Sequence, residues 1–181
     1  DARREGLSLY SGVYDTTDYT AKGLMVDTAF TKKVIPGETA QEEKMTVVEA
    51  LAKHHFNKVY VMLGINELGW AYPSVFQSRY AKLVDEIKRL QPDAIIYIQS
   101  IMPVTAEKSS THAYITNDRI NTYNSLIREM CQEKDVYYLN VAEAVMDSHG
   151  ELPAEASTDG IHLKPAYCQK WLAYLKNHAL S

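Results

Sequence analysis

Asp159-Gly160-Ile161-His162 is the stretch of this sequence whose residue types and spacing best suit catalysis. A carboxylate three residues before a histidine can hold the imidazole in one tautomer and stabilise its protonated form. That is the base-and-orienter half of a serine-hydrolase triad. The same residues also fit a turn that Asp159 starts, with His162 partly buried and hydrogen-bonded, and the motif alone leaves both readings open. A second candidate is Gly64-Ile65-Asn66-Glu67-Leu68-Gly69. Glycine lets the backbone turn sharply at a strand end, and an asparagine amide there can aim a donor into a cleft. Gly and Asn are also ordinary turn residues, so by itself this segment reads as a turn.

The elements that must position these residues alternate between strand and helix. Short β-rich apolar runs at 58–63, 94–99 and 136–140 read as buried strands. Val75, Phe76, Tyr80, Leu83, Val84, Ile87 and Leu90 recur at helical spacing over 74–90, where Gln91-Pro92-Asp93 stops the helix. Ile120, Tyr123, Leu126, Ile127 and Met130 do the same over 117–133. Helices are also expected over 45–55, 141–147 and 165–179, the last with Pro165 in its first turn. Residues 19–26 suit an earlier strand, 102–114 an irregular loop, and 27–43 an insertion without a readable pattern. This alternation predicts an α/β fold, with a parallel sheet and helices on both faces. Chemistry in such sheets gathers outside the carboxyl ends of the strands, which selects the loops after Leu63, Ser100 and Asn140.

The 181 residues fit one domain, 1–181, with 46% hydrophobic and 23% charged residues. A net charge of -4 argues against nucleic acid or an anionic membrane as partner. Cys131 and Cys168 lack metal-type spacing and read as half-buried helical thiols, with a disulfide between them as the alternative. The six histidines form no ligand pattern, and His54-His55 suits the carbonyl end of a helix. No metal site and no cofactor is expected. Compartment stays open between cytoplasm and a secreted or cell-surface location, and so does oligomeric state.

Asp1-Ala2-Arg3-Arg4-Glu5-Gly6 adds a third block. It resembles the Gly-Asp-Ser-x-x-x-Gly opening of SGNH/GDSL hydrolases, with alanine at the serine position. Gly23 falls where that family has its second glycine block. Gly64-Ile65-Asn66-Glu67 resembles Gly-x-Asn-Asp, and Asp159-Gly160-Ile161-His162 resembles Asp-x-x-His. The four blocks keep the family's order and span nearly the whole chain.

The resemblance implies a flavodoxin-like three-layer α/β/α fold with a central parallel sheet. His162 would be the general base and Asp159 its orienter. The backbone N–H groups of residue 2 and Gly23, with the Asn66 side-chain amide, would form the oxyanion hole. Three departures stand out. Ala2 has no hydroxyl, Glu67 replaces the usual aspartate, and no strand precedes Asp1. A sheet lacking an inner strand would leave backbone groups unpaired on two neighbours. A first strand upstream of Asp1, and hence an N-terminally truncated chain, is therefore expected. Ala2 reads as a serine replaced to give an inactive form, with a natural pseudoenzyme as the alternative.

The chemistry this implies is hydrolysis of a small acyl ester, acetyl-like, on a small-molecule ester or an acylated carbohydrate, with a lipid second. Acyl transfer to another acceptor, a catalytically dead module that binds acylated glycans, and an unrelated flavodoxin-like binding domain are the alternatives. Trp70 and Tyr72 would either wall the cleft or pack the start of the next helix, the latter slightly favoured.

Overall fold

Val59 and Val61 point to one side of a strand, and Tyr60 and Met62 to the other, as a period of two requires. That strand, β3 (Lys58–Met62), lies inside a five-stranded sheet. The computed structural model describes residues 5–11 and 15–178. Ala2, Arg3 and Arg4 lie outside the described residues. The other strands are β1 (Glu5–Tyr10), β2 (Thr16–Ala21), β4 (Ile95–Gln99) and β5 (Tyr137–Leu139), in the order β2-β1-β3-β4-β5.

Helices cover both faces. Leu7, Leu9, Val59, Val61, Ile96 and Ile98 pack against α1 (Val47–Leu51), α2 (Pro73–Leu90) and α4 (Asn117–Lys134). Tyr60, Met62, Tyr97 and Leu139 pack on the opposite side against α5 (Pro165–His178). The three-layer α/β/α arrangement is the one expected. No described helix is long and apolar enough to cross a membrane.

One part of the expectation changes. β3, β4 and β5 run parallel, but β1 is antiparallel to both β2 and β3. β1 lies between β2 and β3, so their facing backbone groups are paired. Gly6 stands opposite Met62, and Glu5 opposite Ala21. Glu5, the first described residue, therefore sits at the edge where β2 and β3 end and their loops emerge.

Local chemistry explains most boundaries. Pro73 opens α2, and Gln91 closes it with a buried side chain. Gln91 Oε1 accepts from Phe56 N at 2.9 Å, and its Nε2 donates to the carbonyls of Leu51 and His54. α1 carries a complete capping box, Thr46 with Glu49, but ends at Leu51. The His54-His55 pair thus lies beyond that helix. His54 pairs with Glu38, and His55 Nε2 sits 3.7 Å from Asp93, instead of meeting helix carbonyls. Cys131 is buried and both thiols are free.

Three further expectations are corrected. The supposed loop at 102–114 contains a helix, α3 (Ala106–Thr111), capped by the Thr105 hydroxyl, which accepts from Lys108 N. The expected helix at 141–147 is a single 3-10 turn, Val141–Ala144. The early strand is shifted to Thr16–Ala21, while Leu24 and Val26 bury themselves from the following loop.

Candidate active site

The Asp159–His162 turn is built by the aspartate itself. Asp159 Oδ1 accepts from the backbone N–H groups of Ile161 (2.9 Å) and His162 (2.8 Å) and from the Ser157 hydroxyl (3.1 Å). Oδ2 is left for the imidazole and lies 2.5 Å from His162 Nδ1. A proton on Nδ1, donated to Oδ2, makes Nε2 the basic nitrogen of His162. Partial burial pushes the Asp159 carboxyl up, but the His162 amide and imidazole and the Ile161 amide outweigh it and hold it well below the usual carboxylate range. Asp159 is thus a fixed negative charge beside the ring. Both side chains are about half exposed, 51% and 44%, so the ring is within reach of a ligand.

Gly160 joins this turn to the rest of the sheet edge. Its carbonyl accepts from Thr105 N at 3.0 Å, and its N–H donates to the Ser157 hydroxyl. It adopts φ +88°, and a Cβ there would lie 2.8 Å from Thr105 Oγ1. The Thr105 segment is fixed in turn by α4. Asn117 and Asn124 each use their amide like a strand edge, one pairing with Val104 and the other with Ile101, through both N–H and C=O.

Gly23 and Asn66 come together at the neighbouring strand ends. Asn66 lies in a 3-10 turn, Ile65–Glu67, directly after β3. Its Nδ2 donates to the carbonyl of Leu24 at 3.1 Å, next to Gly23. Gly23 has φ +77° and open space where a Cβ would stand. Glycine suits this position because its positive φ is one that other residues rarely adopt.

Glu67 carries the unforeseen part of the site. It is fully buried, at 0% exposure. Its Oε2 accepts from Val26 N at 3.0 Å, a second tie between the two loops, and the Tyr123 hydroxyl donates to its backbone carbonyl at 2.7 Å. Burial pushes the Glu67 carboxyl up to about 8, with the Asp27 charge adding to the rise against the Val26 hydrogen bond. The sequence marked Glu67 as a departure without revealing its burial. Ser157 went unnoticed too, because a serine two residues before an aspartate carries no signal of its own.

Trp70 is half-buried against the core, while Tyr72 stands 69% exposed at the start of α2 and does not pack there. The described residues thus hold an Asp159–His162 pair and, on two loops joined by hydrogen bonds, Gly23 and Asn66. The nucleophile position, Ala2, is outside the described residues.

The comparisons with known proteins point the same way. A sequence model of the GDSL-like lipase/acylhydrolase family matches residues 11–169. Among solved structures, a candidate platelet activating factor from Streptococcus pneumonia is 26% identical, with a TM-score of 0.61 over 67% of this chain and 59% of that one. This chain therefore covers about three fifths of that relative's length. An acetylxylan esterase from Geobacillus stearothermophilus is 15% identical, with a TM-score of 0.59 over 88% and 69% of the two chains. A carbohydrate acetylesterase from Sinorhizobium meliloti is 17% identical, with a TM-score of 0.57 over 84% and 75%. No curated protein matches significantly. With a family match that runs through the glycine, asparagine and histidine blocks just described, the chain belongs to the GDSL-like lipase/acylhydrolase family.

Proposed function

We propose that this site is that of a carboxylic ester hydrolase which removes a small, acetyl-like group from an O-acylated carbohydrate. The observation that carries the reading is the Asp159–His162 pair, in which one carboxylate oxygen is spent on the turn and the other on Nδ1. With a serine at position 2, His162 Nε2 takes the hydroxyl proton as Oγ bonds to the ester carbonyl carbon. The resulting oxyanion is stabilised by the N–H groups of residue 2 and Gly23 and by Asn66 Nδ2. His162 then returns the proton to the departing sugar oxygen, and water repeats the cycle to release the acid. Carbohydrate is proposed as the alcohol because an acetylxylan esterase and a carbohydrate acetylesterase are among the structures this fold resembles.

Ala2 supports a second reading, a module that binds acylated glycans without turning them over. As written, the chain lacks the oxygen that would form the acyl-enzyme. One experiment separates the two. The Ala2→Ser protein is assayed on p-nitrophenyl acetate beside the Ala2 protein and an Ala2→Ser, His162→Ala double variant. Turnover only where serine and His162 are both present supports the hydrolase. A folded Ala2→Ser protein that is inactive on several short esters, yet binds acetylated oligosaccharide, supports the binding module.

A further inference from the structure

A cavity of about 460 Å³ opens between α3 and the segment 147–160, a size suited to a small organic ligand. Hydrogen bonds within the protein fix its walls. Leu152 N donates to the Val104 carbonyl at 3.1 Å, and Thr105 N to the Gly160 carbonyl at 3.0 Å. Asp147 Oδ1 accepts from the N–H groups of His149 (2.9 Å) and Glu151 (3.1 Å), which closes the turn that carries Glu151. Lys108 lies against Gly160, its Cβ 2.8 Å and its Cε 3.3 Å from where a Gly160 Cβ would stand. Asp159 belongs both to the cavity lining and to the Asp159–His162 pair, since its Oδ2 holds His162 Nδ1. Ser157, also in the lining, donates its hydroxyl to Asp159 Oδ1 at 3.1 Å.

The lining selects by chemistry. Four carboxylates, Glu107, Asp147, Glu151 and Asp159, border the cavity beside one ammonium, Lys108. An anionic ligand would meet a net negative charge there. Among the described residues of the lining, only Leu152 and two alanines are apolar, too little surface to hold a long acyl chain. Thr111 and Thr158 add hydroxyls. Among the described residues, no ion pair or side-chain hydrogen bond engages Lys108 Nζ or the carboxyls of Glu107 and Glu151. These groups are unspent. A hydroxyl both donates and accepts, so an uncharged polyhydroxylated ligand can donate to the carboxylates and accept from Lys108.

We propose that this cavity is the subsite for an uncharged sugar of the acylated substrate, held by Lys108 and Glu151 beside the Asp159–His162 pair. An ester on the anchored sugar is then presented to His162 across the Asp159 wall. Its role in turnover rests on the ester-hydrolase reading, while sugar binding in the cavity does not.

The test is a calorimetric titration of the protein as it stands. The neutral probes are partly O-acetylated xylo- and cello-oligosaccharides, and a partly O-acetylated oligogalacturonide is the anionic counterpart. Saturable binding of a neutral probe is expected, with a Kd for the oligogalacturonide about tenfold higher or more. Lys108→Ala and Glu151→Ala should each raise the Kd of the neutral probe about tenfold, as the loss of a charged hydrogen-bond partner implies. The thermal midpoint of the unliganded protein should not move with either change. In NMR spectra of the parent, amide shifts on saturation should centre on Leu152, Thr158 and Gly160, and they decide the matter should a variant not fold. No saturable binding of the neutral probes, equal affinity for the anionic one, an unchanged Kd in both variants, or shifts centred elsewhere overturns the proposal. An Ala2→Ser protein inactive on p-nitrophenyl acetate defeats the hydrolase reading alone, because binding is measured without turnover. An active Ala2→Ser protein whose parent binds no sugar in the cavity defeats the proposal and leaves the hydrolase reading standing.

Discussion

Asn66 Nδ2 donates to the carbonyl of Leu24 at 3.1 Å and so joins two loops 42 positions apart in the chain. One amide hydrogen is used in this tie, and in the proposed reaction the other serves the oxyanion. The same bond therefore sets where the donor points and where the neighbouring Gly23 N–H lies. Removing the amide should harm catalysis far more than folding. In the Ala2→Ser background, Asn66→Ala is expected to lower kcat about 100- to 1,000-fold. The thermal midpoint should move by only a few degrees, as for the loss of a single half-buried hydrogen bond worth ~1 kcal/mol. Steady-state kinetics and calorimetry on one preparation check both.

Asp159 should act through charge and tautomer. Asp159→Asn keeps the size but cannot hold Nδ1–H as the carboxylate does. A loss of about 10,000-fold in kcat is expected, by analogy with the serine-protease triad. The depressed Asp159 carboxyl also makes a signed prediction for stability. Its contribution is present above the ordinary aspartate value of 3.8 and is lost as pH falls through its lower native value. Acid unfolding of Asp159→Asn should therefore begin from lower stability and show a shallower dependence below pH 4.

Gly160 is held at φ +88° with Thr105 Oγ1 and Lys108 Cβ each 2.8 Å from where a Cβ would be. Gly160→Ala is expected to cost about 1–3 kcal/mol, since both backbone and contact oppose it. The strain falls on the turn that carries His162, so activity should drop along with the urea midpoint. An alanine variant of unchanged stability and activity would contradict this account.

Glu67 predicts that stability falls toward alkaline pH. Its native carboxyl is raised from 4.5 to about 8, so between those values the folded chain holds a proton that the unfolded chain has released. Stability is then greatest below the unfolded value and declines as pH rises to the folded one. Across pH 5 to 8 the fall is bounded at about 4 kcal/mol. Urea unfolding at the two pH values, with Glu67→Gln as the flat reference, measures it.

Gln91 stands apart from the site and tests the fold. Its side chain satisfies Phe56 N and the carbonyls of Leu51 and His54 in a buried corner between α1, α2 and β3. Gln91→Leu fills the space but strands those groups, at an expected cost of about 2–4 kcal/mol. Activity in the Ala2→Ser background should persist below the lowered thermal midpoint.

The sequence by itself determined the alternating elements and the family to which its short blocks point. Val59, Tyr60 and Val61, or Phe76, Tyr80 and Leu83, announce strand and helix through periods that are local properties of the chain. Asp159 and His162 were legible because the three-residue spacing that lets them bond is also local. What only the tertiary structure decided involves partners far apart in sequence. The antiparallel entry of β1 depends on which strands lack a neighbour, and no period encodes that. The Thr105 cap was present in the sequence, but its short helix has no buried face to reveal it. Whether Glu67 is an exposed turn residue or a buried acid depends on Val26, Asp27, Tyr80 and Tyr123 closing around it. Desolvation is a property of that enclosure, so the proton on Glu67 could be read only once the fold was in hand.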